Sequence, residues 1–320
     1  MKRLFGPRLR PAAFAAAFLL AASAAPAKAP LYAAASASAK AKPDTRTPWL
    51  HRVLHGVRPG VRLDGAPVGG RTEAELRAML RAVARKGDRA PVDATLDAKT
   101  GTVVADKEGI RLDIDATVRE AMGARPYASV RSVWRPVRAR WRYGDIVRLT
   151  DTVGTYTTWI SGSLERRRNI VLAAGRIDNR VIYPGQVFSF VDTVGTISLK
   201  KGFKMAPTIQ DGEMRPGLGG GICQVSSTLY NAAKRAGMRM VERHHHALPV
   251  HYVPVGADAT VVLPTDPPMP GVPILDFRFR NDLGHPVALQ AVVHGWKLTI
   301  WMQGPGPDTP STRVPGPQKA

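Results

Sequence analysis

One cysteine, Cys223, occurs in 320 residues, and it sets the terms on which the chain has to fold. A single thiol excludes an internal disulfide and any zinc site built from several thiolates. The fold must therefore be held by a hydrophobic core, and two terminal stretches are unable to supply one. The first ten residues carry Lys2, Arg3, Arg8 and Arg10 without an acid, and an uncharged Ala/Leu/Phe run follows from Ala12 to Ala25. That run is shorter than the ~20 apolar residues of a membrane span. Small residues at Ala22-Ser23-Ala24 and Ala27-Lys28-Ala29 suit a signal peptidase. The reading is a secretory signal peptide over 1–27, which makes the chain secreted or held in the cell envelope, outside the cytoplasm. Residues 28–58 read as a flexible tether and 304–320 as a disordered tail, since neither has enough apolar surface to offset ordering. About 250 residues remain for folded structure.

The formal net charge of +21 describes the surface rather than the fold. On an exported chain it points to wall polymers, peptidoglycan carboxylates or anionic lipid headgroups, and nucleic acid is not expected as a partner. The pattern predicts an α+β protein in two modules. Residues 59–141 form a small α+β module. Its main helix has Leu76, Met79, Leu80 and Val83 at helical spacing, with Thr72 and Glu75 spaced as a capping box. Strands and a short helix near Asp115–Met122 complete it, and no catalytic constellation is evident. The second module, 142–303, reads as helix, glycine turn, helix and then antiparallel sheet. Its helices cover SLERRRNIVLAAGRID and VSSTLYNAAKRAG; its strands include PVHYVPVG, the end of YPGQVFSFVDTVG and a hairpin turning at His294-Gly295.

Cys223 follows Gly219, Gly220 and Gly221 and opens the second of these helices. Free N–H groups and the dipole at a helix start favour a thiolate and can hold an oxyanion. Three glycines beside it would leave room for a substrate backbone to approach. A nucleophilic cysteine needs a base, and the base an orienting partner. About twenty residues on, one helix and a return away, lie His244, His245, His246 and His251; Asp258 follows a turn later. The order Cys, His, Asp fits a cysteine acyl transferase. His244 and His246 share one face of an extended strand, so alternation leaves both open as the base. A metal site of His244, His246, His251 and Cys223 matches no common zinc spacing, and GLGGGICQ lacks the Lys-Ser/Thr of a phosphate loop. No cofactor or metal is expected.

From about residue 150 to 303, the segments YTTWISGSLERRRNIVLAAGRIDNRVIYPGQVFSFVDTVG, GLGGGICQVSSTLYNAAKRAG and RHHHALPVHYVPVGADATV resemble the VanW family. The upstream EGIRLDIDATVREAM resembles the peptidoglycan-binding domain that often precedes VanW domains. The resemblance implies an L,D-transpeptidase with Cys223 as nucleophile and His246 as base. The family pattern RHPHS reads Arg243-His244-His245-His246-Ala247 here, so His244 and His246 are the matched pair. The implied substrate is a peptidoglycan stem peptide, with Gly219, Gly220, Gly221, Gln224, Ser226, Arg243 and Lys204 as candidate binding residues. Arg243 and Lys204 are the candidates for a diamino acid carboxylate. The rival expectation is a wall-binding or scaffolding protein in which the motif serves folding and Cys223 is packed under the sheet.

Overall fold

The computed structural model describes residues 55–210 and 213–306. The signal peptide over 1–27, nearly all of the tether over 28–58 and all but the start of the tail over 304–320 lie outside the described residues. The chain is a mixed α+β protein that divides into two compact units: residues 55–93 with 106–140, and residues 94–105 with 141–306. The segment 94–105, within the 59–141 stretch, thus groups with the larger unit.

In the smaller unit α1 (Glu73–Gly87) starts as its sequence dictates. The Thr72 hydroxyl accepts from the Glu75 N–H at 3.3 Å, and the Glu75 carboxylate accepts from the Thr72 N–H at 2.9 Å. Two amides without helical partners are satisfied by this exchange. Leu76, Met79, Leu80 and Val83 are buried along one stripe. Helix α2 (Ile114–Gly123), capped by Asp113, adds Val118 and Ala121 to the same core. Charged side chains stay outside, where Arg77 bridges Glu73 and Asp115 at 2.7 and 2.5 Å.

The larger unit is built on a four-stranded antiparallel sheet in the order Leu149–Trp159, Lys297–Pro305, Val287–His294, Arg180–Ile182. After a short α3 (Tyr143–Val147) come α4 (Leu164–Ile177), a second short helix α5 (Phe190–Val194), and α6 (Ile222–Arg235). Alternation along the strands puts Leu289, Leu298, Ile300 and Met302 in one core with Ile170 and Ile177 of α4 and Val225 and Leu229 of α6. A hairpin, Met205–Gln210 with Glu213–Leu218, runs directly into the glycines before α6.

Three details differ from expectation. FVDTV is helical because the Ser189 hydroxyl accepts from the Asp192 N–H at 3.0 Å and starts a turn. PVHYVPVG is irregular rather than a strand; Pro249 and Pro254 remove the amides that a ladder needs. His294 pairs with Lys297, so the last hairpin turns at Gly295-Trp296, one residue later. Beyond Arg239–Glu242, which pairs with Arg278–Arg280, the Thr260 N–H donates to the His244 carbonyl at 2.8 Å. That bond closes residues 244–260 into a loop, and the Ser226 hydroxyl fastens it to α6 by donating to the Ala259 carbonyl at 2.6 Å.

Candidate active site

Helix α6 begins on Gly221, whose φ of +107° lies where side-chain-bearing residues rarely go. A Cβ on Gly220 would sit 2.6 Å from the carbonyl oxygens of Ala206 and Pro207 in the hairpin. Gly219, Gly220 and Gly221 are all buried. The space that the sequence reading left for a substrate backbone is therefore filled by the protein's own hairpin. The glycines turn the chain beneath that hairpin and into α6.

Cys223, the second residue of α6, is partly exposed, and its Sγ lies 3.4 Å from the Val261 carbonyl oxygen. The N–H groups of Ile222 and Gln224 donate to the carbonyls of Gly219 and Gly221 at 3.1 and 3.0 Å. Between them, the N–H of Cys223 has no hydrogen-bond partner among the described residues.

His246 closes on the sulfur from the 244–260 loop. Its ring has the Cys223 side chain as an electrostatic neighbour, and its Nδ1 lies 2.7 Å from Asp258 Oδ2. With Nδ1 held by the carboxylate, Nε2 is the nitrogen left for the sulfur. Asp258 Oδ2 also accepts the His246 backbone N–H at 2.7 Å, while Oδ1 lies 2.9 Å from His245 Nδ1. Burial alone would raise the Asp258 carboxyl, but the bonds from His246 and His245 prevail and hold it down at about 2. Burial likewise opposes charge on His246, whose side chain is 8% exposed. There the Cys223 sulfur and the Asp258 carboxylate outweigh it and lift the imidazole above its ordinary range. Cys223, His246 and Asp258 thus form one cluster.

The segment carrying all three groups, residues 165–302, matches the family described as VanW like protein. This part of the chain is similar to VanW domains. The chain is also 45% identical over 152 residues to an uncharacterized protein, YoaR, of Bacillus subtilis (strain 168). That match covers 47% of this chain and 47% of the relative, so the chain spans about half the length of the curated protein it matches. No solved structure matches the chain. The smaller unit lies outside the VanW-like domain.

The VanW-like domain uses the other candidate residues differently from expectation. His244 pairs with Glu242 at 3.0 Å, where its hydrogen bond holds the Glu242 carboxyl low; His246, not His244, meets the cysteine. Gln224 is buried, and its amide is committed: Nε2 donates to the Thr158 hydroxyl at 3.1 Å and the Trp159 carbonyl at 2.8 Å, and Oε1 accepts from Arg166 at 2.9 Å. Ser226 is also buried, fastening Ala259. Both side chains are committed to hydrogen bonds within the protein. The Arg243 guanidinium is committed to groups of the protein itself. It donates to the Asp258 carbonyl, the Tyr230 hydroxyl and the Gly256 carbonyl at 2.6, 2.9 and 2.5 Å. It thereby fixes the turn that carries Asp258. Lys204 is exposed, and its backbone is what the fold uses, tied to the Asn169 side chain at 2.8 and 3.0 Å.

Two residues beside the sulfur were missed in the sequence. Arg166 reaches in from the first turn of α4, with its guanidinium 5.9 Å from the centroid of the Tyr252 ring. Burial lowers the Arg166 guanidinium from its ordinary value, against the opposing charges of Tyr252 and Cys223. Burial raises the Tyr252 hydroxyl, as does the neighbouring charge of Cys223, while a hydrogen bond with Ser227 opposes them. Arg166 had a legible signal: it precedes Ile170, Ala173 and Ile177 by four, seven and eleven residues, on the buried stripe of α4. Tyr252 lies on irregular chain, where no periodicity marks it. Among the described residues no group of three or more His, Cys, Asp or Glu is placed to hold a metal ion, and no helix is long and apolar enough to cross a membrane.

Proposed function

We propose that the VanW-like domain is a cysteine acyl transferase of the L,D-transpeptidase type, acting outside the cytoplasm on peptidoglycan stem peptides. The observation that carries the reading is His246, paired with Asp258 at 2.7 Å and an electrostatic neighbour of Cys223, whose N–H has no hydrogen-bond partner among the described residues. His246 takes the thiol proton, and Sγ bonds to the carbonyl carbon of the third stem residue. The Cys223 N–H donates to the resulting oxyanion. The bond from that carbon to the nitrogen of the terminal D-alanine then breaks, and His246 gives its proton to the leaving amine. An amine of a neighbouring stem attacks the thioester, loses a proton to His246 and expels the sulfur, leaving a 3–3 crosslink. Water in place of the amine gives hydrolysis. Asp258 orients the ring and stabilises the imidazolium throughout.

The cell-wall setting draws on the signal-like N-terminus and the +21 charge, which suits an anionic wall. The acyl-transfer reading is favoured over an idle scaffold by the partial exposure of Cys223, since a thiol kept for packing is sealed in hydrocarbon. The test is incubation of the purified chain with a disaccharide tetrapeptide, followed by mass spectrometry. Crosslinked dimer or released D-alanine is expected from the wild type and neither from Cys223→Ser. Product formation that survives the substitution would falsify the mechanism.

A further inference from the structure

Arg166 is the one cation of α4's Glu165-Arg166-Arg167-Arg168 run that turns toward the start of α6, where a Cβ on Gly221 would lie 3.0 Å from its Cγ. Arg167 donates to the Gly295 carbonyl at 2.9 Å and lies over Trp296, while Arg168 donates to the Gly202 carbonyl at 3.0 Å. Cys223 and Tyr252 are electrostatic neighbours of Arg166. Among the described residues its guanidinium makes one hydrogen bond, from Nη2 to the Gln224 amide oxygen, a neutral acceptor. No carboxylate pairs with it among the described residues, in contrast to Arg77, Arg215, Arg239 and Arg280. A guanidinium presents five N–H donors in a planar fork. Withdrawing such a group from water without a counter-ion is costly, and Gln224 holds it there through its own bonds to Thr158 and Trp159.

We infer that Arg166, steadied by Gln224, is the receptor for a carboxylate on the residue that leaves when Cys223 attacks. The inference rests on the acyl-transfer reading and gives it a specificity. In a peptide cut at its last bond, the terminal carboxylate carbon is three bonds from the carbon attacked, so an anion receptor adjoining the sulfur is placed for it. Arg243, the candidate the sequence offered, is occupied in clamping the Asp258 turn. The pairing selects chains that end at the scissile residue, and it excludes longer or amidated ones.

The test is calorimetric and does not depend on turnover. The full chain carrying Cys223→Ala is titrated with a disaccharide tetrapeptide and with the same molecule amidated at its terminal carboxyl. Removing the sulfur silences any role of Arg166 as a countercharge to it. The free acid is expected to bind about tenfold or more tighter, the range of one charge-assisted bond. Adding Arg166→Gln should erase the difference between the two ligands, and Arg166→Lys should keep part of it. Because the readout is a ratio within each variant, a general loss of folding weakens both ligands together, and the lysine variant reports if the glutamine one is insoluble. Equal affinities in the Cys223→Ala protein, absence of binding by either ligand, or a preference that outlasts Arg166→Gln overturns the inference. Preserved acid preference in a wild type that makes no product overturns acyl transfer and leaves the carboxylate receptor standing.

Discussion

The two units handle polar side chains in opposite ways. In the smaller unit Thr117 is the buried polar residue among those described, and its ions, such as Arg77 between Glu73 and Asp115, lie at the surface. The larger unit buries Thr158, Asn169, Gln224, Ser226, Ser227, Thr228, Asp258 and Asn281. A buried polar group has to be hydrogen-bonded to be tolerated, and around α6 these are: Ser226 and Ser227 fasten the loop at Ala259, and Thr228 bonds Thr158 of the sheet. The smaller unit is stabilised as any small domain is, by an apolar core and capped helices. The larger one trades ease of packing for fixed positions, and fixed positions are what a reacting group requires.

That contrast can be broken experimentally. Its largest expected consequence is kinetic. His246→Ala should lower kcat/KM about a thousandfold or more, measured on the tetrapeptide, with the melting temperature little changed. A loss of less than about tenfold would remove His246 from the chemistry. Next in size is a structural effect on the larger unit. Ser226→Ala deprives the Ala259 carbonyl of a buried donor and should cost about 1–3 kcal/mol in urea unfolding, whereas Arg77→Ala in the smaller unit should cost under about 1 kcal/mol. Equal costs would abolish the distinction between the units.

The smallest effect is the dependence on acid. Asp258 is depressed to about 2 from an ordinary 3.8. A depressed carboxyl contributes stability that is present above the ordinary value and is lost as pH falls through the folded one. The contribution is roughly 1–2 kcal/mol once solvent screening is allowed for. The stability gap between wild type and Asp258→Asn should therefore close as pH falls toward 2, and shrink again as pH rises through the lifted range of His246, as followed by thermal unfolding. A gap that does not narrow in acid would detach Asp258 from its two imidazole partners.

Much of this was legible in the sequence where local rules act alone. The capping box of α1, the periodic faces of α4 and α6, and the order of cysteine, histidine and aspartate all follow from spacing and side-chain chemistry. The direction in which polar residues point did not follow. Gln224, Ser226 and Arg243 stand in or near the motif and read as substrate contacts, yet each is consumed by the protein itself, since only the packed structure reveals which acceptors surround it. The choice between His244 and His246 was open for the same reason: both leave a strand on one side, and Glu242 claims the first while Asp258 claims the second. The glycines misled in the other direction, because close approach of a backbone is needed equally for a substrate and for a hairpin.

The carbonyl of Val261, 3.4 Å from Sγ, bears on how the thiol leaves its resting pose. While sulfur carries its hydrogen, that oxygen is a comfortable acceptor. Once the hydrogen departs, two electron-rich atoms face each other at the same separation, and the contact changes from attraction to repulsion. Deprotonation thus supplies its own push, driving the sulfur off the loop.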